Sequence, residues 1–221
     1  MTQQRVSIYF IKVVRNSVEV QQVMDNQHKW NKTARVSGNW VTARMWFGEM
    51  KPGHSIRSAP VLYHKLRVGS STSSQTQFVL EMLEKEFNLL FGKDTSLKWS
   101  DVAILYEKMD DESLQHNVKE MLLQKFNIKT HSIEESIKTC EQGTLVFDCY
   151  SNAMSFEVAC VVFLCQMSSM VPYYGSFVVA SRARARLVFI DYDVTSPPFP
   201  FIDNSITLAS WEENQGVFET V

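Results

Sequence analysis

Short continuous apolar runs alternate along this chain with longer stretches of helical period. Residues 7–14 (SIYFIKVV) are β-rich. After them Val20, Val23 and Met24 recur at helical spacing to about residue 29, with Asn16 or Ser17 as the N-cap. Residues 59–68 (APVLYHKLRV) predict a strand, 69–77 a Ser/Thr-rich loop, and 78–91 (FVLEMLEKEFNLLF) a strongly amphipathic helix. Next come a buried strand at 101–106 (DVAILY) and a helix at 111–126, with Leu114, Val118, Met121, Leu122 and Lys125 at helical spacing. Further strands are predicted at 128–131, 144–149 (TLVFDC), 159–165 and, as the last, 187–190. Strands that are continuous apolar runs, separated by helices, predict an α/β fold: a mainly parallel sheet with helices on both faces. Ligands of such sheets are expected at the carboxyl ends of the strands.

Two stretches lack a clear period. Residues 30–53 are irregular and rich in Trp and Gly. Residues 195–221, with Pro197, Pro198 and Pro200 near their start, predict an irregular extension packed by Phe199, Phe201 and Trp211.

At 221 residues the chain suffices for one sizeable core. The composition, 45% hydrophobic and 21% charged, is that of a globular domain. A net charge of -2 means that any nucleic-acid face would have to be a local basic groove. No apolar run approaches the roughly 20 residues that span a bilayer. The interrupted N-terminal run is not a signal peptide, so residence inside the cell, nuclear or cytoplasmic, is expected. Cys140, Cys149, Cys160 and Cys165 lack zinc-type spacing and read as reduced thiols, two of them within apolar strands. His28, His54, His64, His116 and His131 have no ligand spacing, and no metal site is expected in this chain.

The candidate chemistry lies in residues 174–190, YGSFVVASRARARLVFI. A small polar Ser-Arg-Ala-Arg segment between two apolar runs aims Arg182 and Arg184 from a helix or turn beside a buried strand. The guanidinium fork matches phosphate oxygens. The segment resembles the VALTRAR-x-RL motif in the second RecA-like domain of UvrD-like and Schlafen-like superfamily 1 helicases. Three other anchors follow the order of that family. VVRNSVEV, containing Arg15, resembles the motif NYRS-x-x-I. DVAILY resembles a core strand of the same domain. CYSNAMSFEVACVVFL resembles the motif x-H-S-x-K-G-L-E-F-x-x-V-x-L, with Tyr150 at the histidine, Ser151 at the serine and Glu157 at the glutamate. Met154 stands where that motif has Lys or Gln, and Ser155 where it has Gly; a Met side chain cannot donate to phosphate. A fainter likeness, Pro52-Gly53-His54-Ser55-Ile56-Arg57 to a GH-x-x-G turn of Schlafen-like proteins, bears on family placement alone.

The resemblance implies a RecA-like P-loop NTPase-type domain, the second helicase half, over residues 1–191. A variable Trp-rich insertion would occupy about 30–58, and an irregular extension 192–221. It further implies that Arg182 and Arg15 act on the phosphates of ATP, and that Glu157 and Arg184 contact the nucleotide. Tyr150 and Ser151 would touch single-stranded DNA or RNA. Mg²⁺ would come only through an N-terminal P-loop domain. That half is not expected in these 221 residues: the near match Phe91-Gly92-Lys93-Asp94-Thr95 has Phe87 where a P-loop needs Gly and Asp94 where it needs Ser or Thr. The chain is therefore expected to be inactive alone, as a truncated or degenerate helicase half. Two other classes stand beside it. One is a catalytically dead nucleic-acid or protein interaction module, using Trp30, Lys32, Arg35, Trp40, Arg44, Trp46, Lys51 and Arg57 to stack bases and track phosphates. The other is an unrelated α/β enzyme.

Overall fold

The computed structural model describes residues 12–13, 17–20, 22, 24, 51–52, 61–66, 72–92, 96–107, 112–139, 143–166, 179–193, 206–211 and 219–220. Two short strands, β1 (Lys12–Val13) and β2 (Lys51–Pro52), pair in parallel. An eight-stranded sheet forms the body. Its strands are β3 (Val61–Leu66), β4 (Val102–Tyr106), β5 (Lys129–His131), β6 (Thr144–Cys149), β7 (Val158–Cys165), β8 (Ala183–Asp191), β9 (Ile206–Trp211) and β10 (Glu219–Thr220). They lie in the order β10-β9-β3-β8-β7-β4-β6-β5. Neighbours run parallel, except for the antiparallel edge pair β9–β10. Among the described residues the helices with complete bounds are α1 (Thr72–Leu90), α2 (Glu112–Phe126) and α3 (Ile133–Thr139); residues 18–20, 22 and 24 are helical as well.

The apolar runs are continuous because the central strands are covered on both faces. Val102 and Ile104 of β4, Cys160, Val162 and Leu164 of β7, and Val188 and Ile190 of β8 pack under α1 and α2. Their alternates Ala103 and Leu105, Val161 and Phe163, and Leu187 and Phe189 face Val20, Met24, Ile133, Ala153 and Val179 on the other side. Among the described residues no helix is long and apolar enough to cross a membrane.

Several boundaries depart from expectation. α1 begins at Thr72, inside the Ser/Thr-rich stretch read as a loop. Ser and Thr are poor in helix interiors but suit a first turn. Gln75 then ties this end of α1 to the sheet through Nε2 donating to the Tyr192 carbonyl at 3.1 Å. α3 was not foreseen, although Ser132-Ile133-Glu134-Glu135 is a capping box. Ser132 Oγ accepts from the Glu135 N–H at 3.2 Å, and the Glu135 carboxylate accepts from the Ser132 N–H at 2.8 Å. The expected irregular tail contributes β9, which pairs with β3 from Val61↔Ile206 to Leu66↔Trp211. Apart from Lys51–Pro52 of β2, the Trp-rich insertion lies outside the described residues, as do Cys140, Phe199 and Phe201.

The carboxyl ends of β3 and β8 hold a buried polar cluster. Lys65 Nζ lies 3.0 Å from Asp191 Oδ2 and donates to the Asp193 carbonyl at 2.5 Å. Tyr63 Oη donates to the same Asp191 oxygen at 2.6 Å. Burial pushes the Asp191 carboxyl up from the usual range, and Lys65 and Tyr63 oppose that shift. Lys65→Met should therefore lower stability by about 3–5 kcal/mol, because it strands a fully buried carboxylate. Urea unfolding at neutral pH measures this, and an unchanged midpoint would show the pair to be dispensable.

Candidate functional site

The predicted arginines gather at the opposite edge of the sheet. Arg182 ends a helical turn (179–182) just before β8, Arg184 is the second residue of β8, and Glu157 immediately precedes β7. All three sit at the amino ends of parallel strands. This corrects the expectation of carboxyl ends, where the buried Lys65–Asp191 pair lies instead. It also puts Arg184 in a strand, where the sequence predicted a helix or turn.

Pairing between β7 and β8 slips at this edge. Val158 lies opposite Ala183 but Cys160 opposite Arg186, so β8 spends three residues where β7 spends two. Such a bulge interrupts the ladder and re-aims the side chains beside it. The Arg184 carbonyl accepts instead from the Ser17 N–H at 2.9 Å. The segment that follows Arg15 in sequence is thereby bonded to the arginine strand. Arg15 itself lies outside the described residues.

Arg184 Nη2 donates to Glu157 Oε2 at 3.1 Å. The arginine side chain is 60% exposed and the glutamate 14%, so the carboxylate orients a guanidinium that otherwise faces solvent. Arg182 is partly buried and turns its Nε–H onto Ser181 Oγ at 3.1 Å. Tyr150 and Ser151 are not part of this group. They follow the carboxyl end of β6, and the turn Tyr150–Ser155 crosses from there to the amino end of β7. The Tyr150 ring packs edge-on against Phe163, centroids 6.1 Å apart, and Ser151 Oγ lies 3.2 Å from Cys149 Sγ. The fold thus brings Glu157, Arg182 and Arg184 together and leaves Tyr150 and Ser151 at the other edge.

Three residues of this region were missed in sequence. Arg186 donates through Nη2 to Glu86 Oε2 at 2.7 Å, and His64 Nε2 meets Glu86 Oε1 at 3.1 Å. Glu86 comes from α1 and is fully buried. Burial disfavours its charge, but hydrogen bonds from His64 and Arg186 outweigh this and hold the carboxyl below the usual range. One signal was available: Glu86 falls on the apolar stripe Val79, Met82, Leu83, Phe87, Leu90, where a carboxylate demands a partner. Which partner was not legible.

The described thiols are free. Burial pushes the Cys160 thiol up to about 11, partly offset by Arg186, and Cys165 well above its ordinary value. Half-buried Cys149 should be alkylated by iodoacetamide before either of them in the folded protein; equal rates, read by peptide mapping, would contradict the packing of β7.

Among solved structures, the chain is similar to the C-terminal domain of a possible DNA helicase from Lactobacillus plantarum WCFS1. The TM-score is 0.51 at 11% identity, over 89% of this chain and 99% of that one. No family model and no curated protein matches the sequence. At that identity the likeness establishes the fold: a mixed α/β, RecA-like domain of the kind found in that helicase C-terminal domain.

Proposed function

We propose that this chain acts as the C-terminal half of a superfamily 1 helicase-like ATPase. Arg182 and Arg184 supply guanidinium groups to an ATP site that an N-terminal P-loop domain completes. The observation that supports this is the placement of Arg182, Arg184 and Glu157 at the amino ends of β7 and β8, with Arg184 held by Glu157 and Ser17 bonded to the same strand. An exposed guanidinium held from behind by a carboxylate keeps outward donors for phosphoryl oxygens. Preorganised charge of this kind is what phosphoryl transfer needs, since its catalysis is mostly positioning and electrostatics. Arg15, which lies outside the described residues, would act on the same phosphates, as the motif resemblance implies. Glu157, bound to Arg184, would orient that arginine as well as meet the nucleotide sugar. The P-loop half would supply the phosphate loop and the Mg²⁺ ligands.

A P-loop run is lacking in the sequence, and these arginines alone have no phosphoryl group to act on. Phosphate release by the isolated chain, with or without single-stranded DNA or RNA, is expected to stay at background. Nucleic-acid-stimulated turnover abolished by Arg182→Ala would overturn the requirement for a second domain. Pyrophosphate binding that is indifferent to both Arg182→Ala and Arg184→Ala would instead favour an interaction module without a nucleotide role.

A further inference from the structure

Arg184 and Arg186 stand two residues apart on β8 and meet opposite fates. Arg184 points outward onto Glu157, with its side chain 60% exposed. Arg186 is drawn inward onto Glu86, its side chain 16% exposed and that of Glu86 0%. The bulge lies between Val158↔Ala183 and Cys160↔Arg186, where the regular ladder resumes, so Arg184 falls within it and Arg186 at its end. A bulge leaves backbone groups outside the ladder, so the pleat there needs other ties. Two are seen among the described residues: the Ser17 N–H on the Arg184 carbonyl at 2.9 Å, and the Arg186–Glu86 contact at 2.7 Å. The second tie is the stiffer. Glu86 sits in the α1–sheet interface, between Met82, Leu83, Phe87 and Leu90 of its own helix, and His64 of β3 holds its other oxygen at 3.1 Å. A close-packed helix bonded through two oxygens to two strands has little freedom to shift.

On the basis of the function proposed above, we propose that Glu86 is the positioning residue of the arginine segment. By fixing Arg186 it sets where the bulge falls, and so the direction in which Arg184 and Arg182 leave the sheet. Glu86 does not itself reach the phosphate. Without it, the bulge is free to migrate along β8 and Arg186 is free to swing to the edge.

The test uses the full 221-residue chain, ¹⁵N-labelled, with arginine Nε–H resonances followed by NMR and inorganic pyrophosphate as probe. Glu86→Gln is compared with Glu134→Gln, which removes the same charge from an exposed helical pair. In the free protein, Glu86→Gln should displace the Arg184 Nε–H resonance while Glu134→Gln leaves it in place. Under pyrophosphate, wild type should respond at Arg182 and Arg184 and not at Arg186. Glu86→Gln should bind roughly tenfold more weakly than the charge-matched control, with Arg186 now responding. If Glu86→Gln does not fold, Arg186→Lys serves. It keeps a cation on Glu86 but loses the fork, and should displace Arg184 in the same direction. An Arg184 resonance unmoved in every Glu86 or Arg186 variant that folds overturns the positioning role. A wild-type protein that does not respond at Arg182 or Arg184 overturns the phosphate site instead, and the free-protein comparison still decides the role of Glu86.

Discussion

Replacing Glu86 by alanine is expected to lower the stability of the domain by about 3–5 kcal/mol, the cost of breaking a buried charge pair from one side. For a chain of this size that corresponds to a fall in Tm of roughly 6–20 °C. The change removes a fully buried carboxylate from between His64 and Arg186, leaving the guanidinium without its counter-charge inside the α1–sheet layer. It also opens a cavity beside Phe87. The effect should depend on pH in a definite direction. The Glu86 carboxyl titrates lower in the fold than in the unfolded chain, where glutamate titrates near about 4.3. Its stabilising contribution is therefore fully present above that value and disappears as pH falls through the lower folded one. Wild type and Glu86→Gln should differ most near neutrality and converge in acid. Guanidinium unfolding at a series of pH values measures the gap, and a gap that widened as pH fell would contradict an ionised, hydrogen-bonded Glu86.

On the proposed function, Arg182→Ala in the chain completed by a P-loop domain should cost 10³–10⁵ in kcat, the range associated with arginines that stabilise the transferring phosphoryl group. Arg182→Lys should recover little, because an ammonium lacks the bidentate fork. Arg184→Ala should cost less in rate while raising KM for ATP. Its stability effect should stay near about 1 kcal/mol, since its partnership with Glu157 is largely solvent-exposed on the arginine side. The assay is steady-state ATP hydrolysis by the protein joined to a P-loop domain of the proposed kind, with melting curves to separate rate from folding. If Arg182→Ala retains a rate within about threefold of wild type, far short of that range, the residue is not an arginine finger, and the partly buried turn at Ser181 is structural only.

The central strands were legible because burial on both faces writes itself into consecutive positions. TLVFDC gave β6 at its observed bounds, and DVAILY gave β4 to within one residue. α2 followed from Leu114, Val118, Met121 and Leu122 on one stripe. The Ser-Arg-Ala-Arg segment was also visible, as two cations between apolar runs. Harder to see was β9, whose short run becomes a strand through pairing with β3. The separation of Tyr150 and Ser151 from Glu157 was hidden as well. Few residues lie between them in sequence, but the chain crosses from one edge of the sheet to the other over that distance.

By itself, then, the sequence determined the layered α/β class, most of its strands and the arginines to watch, since hydrophobic periodicity is a local record of which faces are buried. Only the tertiary structure decided which edge those arginines occupy. It alone placed the bulge beside Arg184, and it alone joined Glu86 to His64 and to Arg186, 22 and 100 residues away along the chain. Strand order and register set those distances, and neither is written in the spacing of residues along one segment.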